Sequence, residues 1–196
     1  MSLFIKEVLI PEKIVEVVNR FIDIDDTEEL PEYPEDAALF WINKCCVKMK
    51  QRIQIEMTYN QASRNEPVPP LPMLEDLTDI SDGCCLAALL SFYCPTHLRW
   101  NEICLNKEMS MADSIYNLQL VQFFSQEKLP YNICFLTLED FLYLPQSIRL
   151  NILAFIADLL FMFEIKTVKC VRLPGYEHNH LFADVDADSK SDLSSH

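Results

Sequence analysis

The chain has 196 residues, 50% of them hydrophobic, a formal net charge of −14 and only two glycines. That length suits one domain of roughly 100 to 150 residues with flanking segments. The acidic field opposes nucleic-acid phosphates and anionic lipid, and Gly83 and Gly175 alone cannot build a glycine-rich phosphate loop. Nucleic acid, membrane and nucleotide partners are therefore set aside, and no cofactor is expected. The N-terminus lacks a basic start, apolar run and small-residue cleavage site, so a cytosolic setting is expected.

Residues 12–22, after Pro11, place Ile14, Val18 and Phe21 on one face with Val17 beside them, which predicts an amphipathic helix leaning on the main core. The acid-rich, proline-bearing run that follows reads as a solvated connector. From Asp36 to Met57, Leu39, Ile42, Cys46, Met49 and Ile53 recur at alternating steps of three and four, widened by Ala38, Trp41 and Cys45. The other side carries Lys44, Lys48, Lys50 and Arg52. Such a helix fits either a core stripe or a calmodulin-type target, and the core reading is preferred because the next helix needs covering. Residues 58–72, with four prolines, predict a long exposed loop.

Met73 to Asp79 predicts a helical turn leading into the stretch Ser81 to Cys94, which is uncharged from Gly83 onward. Leu86, Leu89, Leu90 and Phe92 fall on different sides of a helix, and a helix apolar all round has to be surrounded. Its dozen or so residues are far fewer than the ~20 that cross a bilayer, so other helices of the chain must surround it. Ser81 and Asp82 are placed to cap it and Pro95 to end it. Gly83 sits where glycine costs roughly 0.5–1 kcal/mol relative to alanine, so a neighbouring element is expected to pass close by.

After Pro95, Trp100, Ile103 and Leu105 are expected to anchor a connector. Ser110 and Asp113 form a capping box for a helix with Met111, Ile115, Leu118, Val121 or Gln122, and Phe124 or Ser125 inward, ending before Pro130. Thr137 and Asp140 repeat the cap over a short turn. Pro145 opens an apolar helix to about residue 165, interrupted by Arg149, Asp158 and Glu164, which argue against a membrane span. Beyond Lys166 the chain turns polar and ends in an acidic serine tail expected to be disordered.

The eight cysteines sit largely in apolar helical runs with no CxxC, so they are expected to be reduced core residues rather than a zinc site. His178 and His180 default to the surface. Asp76, Asp79 and Asp82 lack the calcium-loop spacing and terminal glutamate and are expected to cap helices. No serine, histidine or cysteine stands in a recognisable catalytic context, so no enzyme is expected.

The order of elements is specific: a long helix with AALFWINKCC, the turn LEDLTDISDG, the buried helix CCLAALLSFYCP, a helix with SIYNLQLVQFF, the turn TLEDFLYLP and a closing apolar helix. It resembles the calponin-homology domain, in which an aspartate-glycine pair opens a buried helix (here Asp82 and Gly83), an asparagine-leucine pair follows in the next (Asn117 and Leu118), and an acidic turn precedes the last (Leu138 to Leu144). The paired cysteines, Trp41, the proline-rich loop and FLYLPQSIRLNILAFIADLLFMFE are most similar to the variant in the calmodulin-regulated spectrin-associated protein family. The resemblance implies an all-α, calponin-homology-like bundle of four main helices with short connecting helical turns. The expected organisation is an N-terminal helix and acidic linker at 1–34, the calponin-homology domain at 35–165 and a C-terminal extension at 166–196.

The resemblance also implies a non-catalytic cytoskeletal interaction module, in the cytoplasm, within a large protein that binds and stabilises non-centrosomal microtubule minus ends. Spectrin and calmodulin are its implied partners. In that family minus-end recognition is attributed to a separate C-terminal domain and coiled coils. A single unit instead of a tandem pair, and a longer loop after the first long helix, count against actin. The alternative is an autonomous actin- or microtubule-binding domain. Both filaments are acidic, so binding by this chain needs a local basic patch. Residues 44–64 supply Lys44, Lys48, Lys50, Arg52 and Arg64 against Glu56 alone, a balance of +4; Lys48 and Arg52 are expected to face solvent.

Overall fold

A computed structural model describes residues 3–60 and 66–175, which are helical with no strand among the described residues. Two short helices open the chain, α1 (Leu3–Val8) and α2 (Pro11–Asn19). Pro11 serves as the first residue of α2, where its missing amide costs nothing. The sequence pattern predicts α2 but not α1, which is too short to express a helical period. Ile5, Val8 and Leu9 nevertheless enter the same core as Ile14 and Val18.

The connector to α3 and the first turn of that helix are each tied down by a charge. Glu28 pairs with Lys44, and Glu35 pairs with Arg149 at the start of the last long helix. Helix α3 (Pro34–Tyr59) again has proline first, and the Tyr33 amide donates to the Asp36 carboxylate at 3.2 Å. Its inward stripe runs from Ala38 through Trp41, Ile42, Cys45, Cys46, Met49 and Ile53 to Met57, as the three-and-four spacing predicts. After the loop, Val68 and Leu71 pack partly against the core.

The turn Leu77–Asp82 is a 3-10 helix, capped at Asp76 and leading into α4 (Cys84–Tyr93), every residue of which is buried. Helix α4 lies between α3 and α5 (Met111–Glu127). Gly83 is at the junction of the 3-10 turn and α4 rather than inside a helix, with φ of 72° in the left-handed region. A β-carbon there would come within 2.9 Å of both the Asn117 Cβ and the Leu118 nitrogen, so the close neighbour inferred from the sequence is α5.

Helix α5 has the expected Ser110 and Asp113 cap, but its buried face is Ser114, Asn117, Leu118, Val121, Phe124 and Ser125. Met111, expected inward, is 58% exposed. The face is turned because Asn117 is drawn in as a polar clamp. Its Oδ1 accepts from the Cys104 amide at 2.9 Å, and its Nδ2 donates to the Cys104 and Asp82 carbonyls at 3.0 and 3.3 Å. Apolar periodicity is blind to such a residue. Helix α6 (Leu138–Tyr143) carries the Thr137 and Asp140 cap, and α7 (Arg149–Leu160) ends in a wider turn, Phe161–Ile165. Helices α3, α4, α5 and α7 are the four main helices of the bundle, and α1 packs on α7.

All eight cysteines are free thiols, and only Cys104 is partly exposed. Burial pushes Cys45 upward and Cys134 up to about 11, whereas a hydrogen bond from the Cys94 thiol draws Cys170 down to about 7. Alkylation of the denatured, unreduced protein should therefore add eight adducts by intact mass, and native protein should label Cys170 before Cys45. Fewer than eight adducts in a fresh preparation would mean a disulfide or bound metal instead. The histidines His178 and His180 and the acidic tail lie outside the described residues.

Candidate functional site

The basic residues singled out from the sequence do not form one patch. Lys44, Lys48 and Arg52 stand four apart and share one face of α3, whereas Lys50, exposed, points about 200° round the helix from Lys48. Arg64 lies outside the described residues. Within the shared row, Lys44 is held by Glu28 and sits 5.2 Å from the Phe40 ring centroid. Lys48, half-buried, lines a cleft of about 450 Å³ with Arg20 and Gln51.

Arg52 departs from the expectation that it faces solvent. Its guanidinium carbon lies 4.3 Å from the Phe92 ring centroid, and one of its NH groups donates to the Phe92 carbonyl at 3.1 Å. The long apolar stem and planar head of arginine suit an aromatic face near the surface. Arg52 thus braces α3 against the end of α4 while its charge borders a second cleft.

That cleft, about 270 Å³, lies between the C-terminal halves of α3 and α4 and the turn at 95–101. Arg52, Glu56, Ser91, Pro95, Arg99 and Trp100 line it, and the Trp100 indole NH donates to Glu56 at 2.8 Å. Trp100 is the inward anchor expected from the sequence, but only half-buried. The pairing with Glu56 joins residues 44 positions apart, which no local spacing reveals.

The deepest polar group is structural. The Trp41 indole donates to the Tyr93 hydroxyl at 3.0 Å, that hydroxyl donates to Glu164 at 2.5 Å, and the other Glu164 oxygen pairs with Arg20. Each member satisfies the next, as buried polar groups require. The three aspartates act as caps. Asp76 accepts from the Thr78 amide at 2.9 Å and from Arg149, Asp79 from the amides of Glu75 and Asp76, and Asp82 from the Cys84 amide at 2.8 Å. The Arg149 guanidinium, with Thr78, holds the Asp76 carboxyl well below the usual carboxylate range, while burial raises Asp82. Among the described residues no group of three or more histidine, cysteine or acidic side chains is placed to hold a metal ion, and no helix is long and apolar enough to cross a membrane.

Residues 62–145 match the family described as the CAMSAP CH domain. The whole-chain similarity is broader. Calmodulin-regulated spectrin-associated protein 1 of Xenopus laevis is 42% identical over 182 residues, covering 84% of this chain and 11% of the relative. This protein carries a CAMSAP CH domain. The human calmodulin-regulated spectrin-associated protein 1 is 40% identical over the same share of each chain, and Patronin of Drosophila melanogaster is 34% identical over 90% of this chain. The CAMSAP CH domain and its flanks thus span about 11% of the length of these relatives. No solved structure shows a significant match. The fold expected for the CAMSAP CH domain, an all-α bundle built round a buried central helix, is the one observed.

Proposed function

We propose that this chain is a non-catalytic interaction module, in the cytoplasm, of a protein that binds and stabilises non-centrosomal microtubule minus ends. The carrying observation is the 42% identity to a calmodulin-regulated spectrin-associated protein across 84% of the chain. That relative's name supplies calmodulin and spectrin as partners of the parent protein. The geometry supports a binding role, because the aspartate and Tyr93–Glu164 groups are spent on caps and internal bonds. Domain limits of 1–34, 35–165 and 166–196 belong to the same proposal, although α1 and α2 share the core of the central part.

Filament contact by the chain itself is assigned to the α3 row at Lys48. The chain's net charge of −14 opposes acidic filaments at long range. Screening over a Debye length of ~8 Å leaves a local basic group able to act at contact. Co-sedimentation with microtubules and with actin, at two salt concentrations, is expected to give weak, salt-sensitive binding that Lys48→Glu abolishes with helical circular dichroism unchanged. Arg52 is unsuited to that test because its ring stacking is part of the packing. Tight, salt-insensitive binding unaffected by Lys48→Glu would favour the autonomous binder and a different surface.

A further inference from the structure

The segment that follows α7 returns to the end of α4 and meets it at a pair of thiols. Cys94 caps the C-terminus of α4, and the Arg172 amide donates to the neighbouring Tyr93 carbonyl at 2.8 Å, which seats Cys170 beside it. The Cys94 thiol donates a hydrogen bond to the Cys170 sulfur. Neither cysteine is inside a helix. Cys94 has φ of −128° and ψ of 56°, and Cys170 stands in a turn closed by the Val171 amide on the Val168 carbonyl at 3.0 Å. The backbone on each side is therefore free of the helical ladder and able to adjust to S–S geometry. We propose that Cys170 is a reversible oxidation site for hydrogen peroxide and Cys94 its resolving thiol, the disulfide between them latching residues 166–175 onto the end of α4.

The Cys170 thiolate attacks one peroxide oxygen, the O–O bond breaks, and hydroxide leaves a sulfenic acid on the sulfur. The Cys94 sulfur then attacks the sulfenic sulfur. The S–O bond breaks and the hydroxyl departs with the Cys94 proton as water, so that two thiols are oxidised and one peroxide is reduced to two waters. Thiolate character and access select the site. Cys170 has both, because its hydrogen bond from Cys94 holds it at about 7 and it is 8% exposed, whereas Cys94 is closed to solvent. Cys104 is the more exposed thiol, but desolvation and the Asp113 carboxylate push it upward. Cys46 and Cys85 also meet, yet both lie within helices and out of reach of solvent. Their thiols are spent on backbone, Cys85 on the Pro72 carbonyl at 3.4 Å and Cys46 towards the Cys85 carbonyl at 4.0 Å.

For the test, the full chain is reduced, freed of reductant, treated with a small molar excess of hydrogen peroxide, then denatured and alkylated. Intact mass should show two fewer adducts than the eight free thiols, and dithiothreitol should restore all eight. Peptide mapping should find Cys94 joined to Cys170, a result read on the parent chain and so independent of how any variant folds. Cys170→Ser should slow thiol loss about fivefold or more, since it removes the reactive thiolate, and Cys104→Ser should leave the rate within about twofold. Cys94→Ser should leave a sulfenic acid on Cys170 that dimedone labels, where the parent chain takes little label. Trypsin should cut after the exposed Lys169 more slowly in the oxidised chain, and an unchanged rate would overturn the latch. Eight adducts after peroxide, a disulfide joining Cys46 to Cys85 or one chain to another in its place, or equal slowing by Cys104→Ser and Cys170→Ser would overturn the proposal.

Discussion

Replacing Gly83 with valine is expected to lower the urea midpoint more than any other single substitution on the α4–α5 face. Two costs act together. The backbone at Gly83 has φ of 72°, a region that β-branched residues adopt only under strain. The added β-carbon would also lie 2.9 Å from Asn117 Cβ and from the backbone nitrogen of Leu118, neither of which is a flexible side-chain end. Overpacking typically costs 1–3 kcal/mol and a strained backbone about as much again, so a loss of roughly 3 kcal/mol or more is expected. Asn117 would be displaced from its bonds to the Cys104 backbone, loosening the connector as well. Equal midpoints with equal denaturant slopes for Gly83→Val and the parent chain would disprove the close-packing account.

Arg20→Met should be nearly as damaging, for an electrostatic reason. The Glu164 side chain is 2% exposed, and its charge is met by Arg20 on one oxygen and by the Tyr93 hydroxyl on the other. Removing the arginine leaves a carboxylate in the core with one neutral partner. Losing one member of a buried ion pair costs about 3–5 kcal/mol, and the lower figure applies here because Arg20 is partly open to water. The double change Arg20→Met with Glu164→Gln should recover much of the loss, since the uncompensated charge is gone. Urea unfolding of the two single variants and the double variant measures this coupling. A single-variant loss below about 0.5 kcal/mol would mean that water already satisfies Glu164.

These two sites differ in how far the chain's letters announce them. A glycine before an uncharged helix in a chain with only two glycines points to a close neighbour, although nothing local specifies positive φ or that the neighbour is Asn117. The serine and threonine caps at Ser110 and Thr137 are equally legible because each is a local pattern whose partners, Asp113 and Asp140, stand three residues on. Arg20 and Glu164 are 144 positions apart, and only the folded bundle brings them together. The same holds for the cleft of Ser91 and Arg99, assembled from α3, α4 and a turn. Charge along α3 was visible as composition, but its direction was not. A lysine or arginine reads as solvent-facing until an aromatic such as Phe92 claims its stem.

The packing of α1 on α7 sets the order in which the molecule can be completed. The Phe4 ring meets the Phe161 ring edge-on at 6.0 Å, so one side of α1 is completed only by α7 and the turn that follows it. During synthesis Phe4 leaves the ribosome long before Phe161 exists. Until then Ile5, Val8 and Leu9 lack that side of their pocket, and α4, apolar on every face, lacks part of its cover. Contacts between distant segments carry a loop-closure cost that must be met before they contribute stability. The bundle therefore closes late, with Ile5, Val8 and Leu9 among the last residues of the core to be fully buried.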